Sequence, residues 1–193
     1  VLVSLETTGW ELLTPGWDPK PILDEAIPRM VSTGTRHHVR DVLQYERTDG
    51  GIWLHSKENN WFWRAPHADP ETHVPRFDFL SVVAQTASDI LEMIPQDAQR
   101  DTGELHLDVF RSFKGTVVDE HADRHGGWIM SWVMDRQGGG GALYLRRCNT
   151  GIIEVERALE TGEALMFVDF LFFHGVRALD GEYRDVLIFT TIP

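Results

Sequence analysis

The run Val118-Asp119-Glu120-His121-Ala122-Asp123 places a histidine and a carboxylate one residue apart, and a distant segment, Phe172-Phe173-His174-Gly175, supplies a second histidine. Two neutral imidazoles and one carboxylate can cover one face of an octahedral ion and leave the other positions open, a donor set that points to non-heme Fe(II). In an extended strand residues i and i+2 point to the same side, so His121 and Asp123 can reach one ion together. A His-x-Asp triplet is common by chance, and its weight comes from its surroundings. Asp123 precedes the apolar stretch Trp128, Ile129, Met130, Trp132 and Val133, and His174 follows Met166-Phe167-Val168 and Phe170-Leu171-Phe172-Phe173. A lone histidine there is ordinarily a core residue bonded to a backbone carbonyl. A carboxylate beside an apolar strand is costly unless it is paired or bound to metal, which favours the metal reading.

Four other features carry chemistry on paper. His125 makes His-x-x-x-His with His121, but the zinc motif needs Glu after the first histidine, where Ala122 stands, and Gly126-Gly127 opposes a helix. His125 is therefore a rim or surface residue. His37 and His38 are adjacent and, in a strand, point to opposite faces. Gly138-Gly139-Gly140-Gly141 lacks the Gly-Lys-Ser/Thr ending of a phosphate loop and reads as a turn between strands. Arg184 opens the apolar strand Val186-Leu187-Ile188-Phe189. An arginine entering such a strand needs a carboxylate, either from a ligand or, on a purely structural account, from Asp185 or Asp169.

The elements that must position these groups are mostly strands. Asp18-Pro19-Lys20-Pro21 opens a short helix capped by Asp18. Residues 35–47 read as a strand, Asp49-Gly50-Gly51 as a turn, and 52–55 and 61–64 as two further strands, with a proline-rich loop over 65–75. Leu80, Val83, Ala87, Ile90, Leu91 and Ile94 recur at helical spacing between Asp78 and Pro95, predicting a helix whose apolar face lies on a sheet. From Leu105 the pattern is strand after strand: 105–112, 115–121, 127–135, 142–147, 152–157, 164–169, 173–178 and 184–192. That series suggests a mainly β protein with flanking helices, a two-sheet jelly roll of the cupin-like kind.

With 193 residues, 42% hydrophobic and 25% charged, the chain is sized and composed as one soluble domain. We divide it into helices and flanking strands over 1–102 and a metal-bearing core over 103–193. The formal charge of −12, from 18 basic and 30 acidic residues, disfavours nucleic acid as a partner. No apolar run is long enough to cross a membrane as a helix. The single cysteine, Cys148, excludes an intrachain disulfide and fits a reducing cytoplasm. The chain starts at Val1 without methionine, which leaves a trimmed amino terminus and a lost targeting segment open.

The order Glu120-His121-x-Asp123, then Gly140-Gly141-Ala142-Leu143-Tyr144, His174 and Arg184-Asp185-Val186-Leu187 resembles the Fe(II)/2-oxoglutarate dioxygenases. Within them it is most similar to the bacterial group containing L-isoleucine dioxygenase. Leu105-His106-Leu107-Asp108-Val109-Phe110-Arg111 matches the strand ahead of the metal motif in that group. The resemblance covers about residues 103–193, and the amino-terminal half only through Arg36-His37-His38-Val39-Arg40. It implies a double-stranded β-helix in which His121, Asp123 and His174 bind iron and Arg184 holds the far carboxylate of 2-oxoglutarate. The family couples decarboxylation of 2-oxoglutarate by O2, giving succinate and CO2, to hydroxylation of a substrate, and retention of Asp123 argues against halogenation. Two positions depart from the pattern. Val186 stands where many relatives carry Ser or Thr, with Thr190 or Thr191 as replacements, and Arg124-His125 separate Asp123 from the glycines.

The resemblance implies a free amino acid or a similar small carboxylate metabolite as substrate, and a biosynthetic role. Arg36, Arg40 and Arg111 are offered as cations for its carboxylate, and Trp128, with Trp132 and Phe172, as apolar lining. Two rival readings use the same residues: a cupin-like metalloenzyme that does not use 2-oxoglutarate, and a non-catalytic jelly-roll module that binds a small acid.

Overall fold

A computed structural model gives the structure of residues 7–32, 35–39, 42–46, 52–56, 60–64, 92, 104–123 and 127–192. The strands are β1 (Trp10–Leu13), β2 (Thr35–Val39), β3 (Val42–Glu46), β4 (Ile52–Ser56), β5 (Asn60–Arg64), β6 (Glu104–Phe113), β7 (Val118–His121), β8 (Trp128–Gln137), β9 (Leu143–Arg147), β10 (Ile153–Arg157), β11 (Ala164–Val168), β12 (Phe172–Val176) and β13 (Tyr183–Ile192). A helix, α1 (Lys20–Ser32), follows β1, and a 3-10 turn over Asp169–Leu171 joins β11 to β12. Each strand expected after Leu105 is present, with ends moved by a few residues.

Among the described residues the strands form two antiparallel sheets. The larger has the order β1-β11-β8-β13-β6-β5-β4-β3-β2 and the smaller β10-β9-β12-β7. Alternation along the strands sorts the core into two clusters. Ile129, Val133, Leu165, Phe167 and Val186 from the large sheet meet Leu143, Leu145 and Phe172 from the small one. That layer joins the two sheets, as a jelly roll requires. On the opposite face of the large sheet, Met130, Trp132, Met134, Leu187 and Phe189 pack with Ile22 and Ala26 of α1. The Lys20 N–H donates to Asp18 Oδ1 at 3.0 Å, so the helix begins with the expected cap.

Two expectations are corrected. Residues 35–47 are not one strand: β2 and β3 are separate, antiparallel, and pair Val39 with Val42. β1 had no counterpart in the sequence reading and pairs with β11 at the edge of the large sheet. The helix expected over 80–94 lies outside the described residues except at Glu92, which is helical.

Candidate metal centre

His121 ends β7 and His174 sits in β12, and the two are cross-strand partners in the small sheet. Their ring centroids are 4.3 Å apart. Asp123 does not continue the strand, as i, i+2 alternation required. It stands two residues past the end of β7, where its N–H donates to Asp169 Oδ1 at 3.2 Å. Asp169 is fully buried, and its own N–H donates to Gly127 O at 3.0 Å. One side chain and its amide thus hold both ends of the segment between Asp123 and Gly127. Sequence reasoning missed this role, although the signal was present: Asp169 is the charge that interrupts an otherwise apolar run.

The result is a convergent donor set. His121 Nε2 lies 3.5 Å from Asp123 Oδ1 and His174 Nε2 lies 3.7 Å from Asp123 Oδ2. One ligand atom from each of the three residues falls within 4.8 Å of the others. Neighbouring positions of an octahedral ion with bonds of ~2.1 Å are ~3 Å apart, so a small inward movement suffices. His121 Nδ1 is 2.7 Å from Asp119 O. A carbonyl only accepts, so Nδ1 carries the proton and Nε2 keeps its lone pair for a metal. Burial, followed by the neighbouring His121, pushes His174 down to about 4, against an opposing pull from Asp169. His174 is therefore neutral at ordinary pH, the form that ligates. Two imidazoles and a carboxylate on one side of a space fit a divalent first-row ion.

Arg184 is the second element of the site. It alternates on β13 with Val186 of the inter-sheet layer, and it is 6% exposed. Its Nη1 donates to Gly141 O, and its Nε is buried without a partner. No carboxylate pairs with it among the described residues. Burial, followed by Arg136, pushes it down to about 10, so it remains a cation at neutral pH. A buried cation without an anion is costly, on the order of several kcal/mol even after relaxation, and an incoming carboxylate would relieve that cost. The glycine turn has a role the sequence reading did not see. Gly141 is left-handed at φ +68°, and a Cβ there would lie 3.0 Å from Arg184 Nη1.

The other expected residues distribute differently. Asp185 does not face Arg184. It is buried on the α1 side of the large sheet, where Arg111 Nε and Nη2 donate to its Oδ1 and Oδ2 at 2.7 and 2.5 Å. That pairing raises Arg111, while burial pushes Asp185 up against it. Arg111 alternates with Leu107 and Val109 of the α1-side cluster, so its expected contact with a substrate between the sheets is corrected. Trp128 is corrected for the same reason, since it packs against that cluster with Met130 and Trp132. Arg36 lies in β2, at the edge of the large sheet, and Arg40 lies outside the described residues, as does His125. Thr190 is buried on β13, but six residues beyond Arg184 is ~20 Å along a strand, and Thr191 is farther, so neither stands in for a hydroxyl beside Arg184.

No family model matches the sequence, and no curated protein does. Solved structures do match in fold. A Pseudomonas putida prolyl-4-hydroxylase superposes with a TM-score of 0.63 at 14% identity, over 100% of this chain and 96% of that one. An oxidoreductase of the 2OG-Fe(II) oxygenase family from Burkholderia pseudomallei gives 0.63 at 12% identity, over 99% and 88%. A Trichoplax adhaerens prolyl hydroxylase in complex with a hypoxia inducible factor peptide fragment gives 0.62 at 13% identity, over 100% and 87%. The fold is a double-stranded β-helix. In this double-stranded β-helix the His-Asp-His set belongs to the small sheet and the loop after β7, and Arg184 belongs to the large sheet. The space between the sheets is where the two can act on one ligand.

Proposed function

We propose that this protein is an Fe(II)/2-oxoglutarate-dependent dioxygenase that hydroxylates an unactivated C–H bond of a free amino acid or similar small carboxylate metabolite. By motif, the chain resembles the L-isoleucine dioxygenase group, and the substrate class is carried over from that resemblance. The observation that carries the reading is the pairing of a convergent His121, Asp123 and His174 with a buried Arg184 that has no carboxylate partner among the described residues. A metal-binding module without a co-substrate has no use for that cation. His121, Asp123 and His174 would hold Fe(II), which when bound supplies activation of O2 coupled to decarboxylation of 2-oxoglutarate.

The chain's own residues do the positioning. The Asp119 carbonyl fixes the His121 tautomer, and Asp169 fixes the backbone at Asp123. Gly141 O orients Arg184 toward a ligand carboxylate, for which a guanidinium offers a planar fork. Leu143, Leu145, Phe167, Phe172 and Val186 exclude water from the space behind the site. Arg36 and Arg40 remain the proposed contacts for a substrate carboxylate. The single cysteine favours a cytoplasmic setting.

The test is succinate formation from 2-oxoglutarate with Fe(II) and O2, screened against the common amino acids. Turnover is expected to disappear in His121→Ala, Asp123→Ala and His174→Ala while circular dichroism stays that of the wild type. Retained turnover in any of the three removes that residue from the site.

A further inference from the structure

The register of β8 against β13 contains one extra residue, and its position decides what Arg184 meets. Val133 pairs with Val186 in the inter-sheet layer. A regular ladder continued from that pair would bring Asp135 opposite Arg184. The register shifts between Asp185 and Val186 instead, so Asp135 pairs with Asp185 and Arg136 pairs with Arg184. Met134 is the extra residue, buried in the cluster under α1. A β-bulge re-aims the side chains beyond it, and here it replaces an acid with a base at the position beside Arg184. Asp135 is turned to the other face, where its Oδ2 accepts the Tyr183 hydroxyl at 2.8 Å.

Arg136 then shares a frame with Arg184. Its Nε donates to Gly138 O at 3.0 Å, its Nη2 to Gly140 O at 3.2 Å and its Nη1 to Leu159 O at 2.5 Å, while Arg184 Nη1 takes Gly141 O. One glycine turn therefore offers carbonyls to two guanidinium groups. Asp180 lies beside Gly140 but forms no ion pair with either arginine among the described residues. Two adjacent cations answered, among the described residues, only by carbonyls suit a ligand that brings negative charge at its far end.

We propose that Arg136 is a positioning residue for the co-substrate, holding the glycine turn that orients Arg184 and adding the charge that selects a dicarboxylate 2-oxo acid over a monocarboxylate one. This rests on the reading of Arg184 as the anchor for 2-oxoglutarate. Calorimetric titration of the Mn(II)-loaded protein with 2-oxoglutarate and with 2-oxovalerate, which has the same carbon count but no distal carboxylate, tests it. Arg136→Met is expected to weaken 2-oxoglutarate about tenfold, to change 2-oxovalerate less than about twofold, and to leave Mn(II) affinity unchanged. Arg136→Gln keeps donors for the carbonyls without the charge and should show the same loss of discrimination, which serves if Arg136→Met does not fold. Arg136→Asp places a carboxylate opposite Arg184 and should remove 2-oxoglutarate binding. Equal weakening of the two 2-oxo acids, or of neither, overturns the role of Arg136 alone. Wild-type protein that binds Mn(II) but not 2-oxoglutarate overturns the anchor reading and this inference with it.

Discussion

Asp169 and Arg184 are buried charges with opposite consequences for stability. Asp169 accepts the Asp123 N–H, so Asp169→Ala strands a partly buried donor and should cost the metal-free fold about 1–3 kcal/mol. Asp169→Asn keeps an acceptor and should cost less. Mn(II) affinity should fall in the same order, by about 10–100-fold for alanine, as when partners behind metal ligands are removed. Urea unfolding of the metal-free protein and Mn(II) titration by electron paramagnetic resonance read both quantities. Wild-type values for Asp169→Ala would end the account of Asp169 as the brace of the metal loop. Arg184 is the reverse case, a buried cation with no carboxylate partner among the described residues. Arg184→Met should leave the metal-free urea midpoint unchanged or higher, because the desolvation cost leaves with the charge. Its 2-oxoglutarate binding should be lost. Destabilisation by more than about 1 kcal/mol would instead make the bond to Gly141 O a structural contact.

At the scale of elements, strands from β6 to β13 were legible because alternating side chains and glycine turns mark them in the sequence. The β2–β3 hairpin was not, since the connection between Val39 and Val42 carries neither glycine nor proline. The face on which a residue sits was also illegible, which explains Arg111 and Trp128. The large sheet is apolar on both sides, with Ile129 and Val133 on one and Met130 and Trp132 on the other, so alternation alone does not say which side meets the small sheet. The convergence of His121, Asp123 and His174 as a candidate donor set was legible because they are polar groups next to apolar runs. The bulge at Met134 was hidden, since register is a property of two strands and is written in neither. The glycine turn gives an internal comparison. Gly140 is left-handed at φ +75°, and a Cβ there would meet Asp180 N at 2.5 Å and Ala178 O at 2.7 Å, both backbone. Gly139 has open space. Gly140→Ala should cost at least about 2 kcal/mol and Gly139→Ala within about 0.5 kcal/mol, measured by urea unfolding, given the strain of a left-handed alanine plus the clash. Equal costs would mean that the turn's contacts with Ala178 and Asp180 do not constrain it.

For the whole molecule, the local and global charges disagree in sign. The chain carries −12, while Arg136 and Arg184 form a small cationic site. Several basic residues on the small sheet are already paired, Arg146 with Glu120, Arg147 with Glu154 and Arg177 with Glu156, so they do little to offset the acidic excess at a distance. A dianion approaching from solution meets repulsion first, and attraction only within the site. Salt screens the long-range field within a Debye length of about 8 Å at physiological ionic strength, but screens a buried guanidinium much less. The association rate constant of 2-oxoglutarate with the Mn(II)-loaded protein should therefore rise, by about two- to fivefold between 10 and 150 mM KCl, rather than fall as in cation-steered binding. Stopped-flow tryptophan fluorescence can follow it, with seven tryptophans available as reporters. The dissociation rate should change less over the same range, because Arg184, the proposed anchor, is buried. An association rate that falls with salt would mean that the two arginines project their field beyond the mouth of the site, and that the acidic surface lies away from the approach.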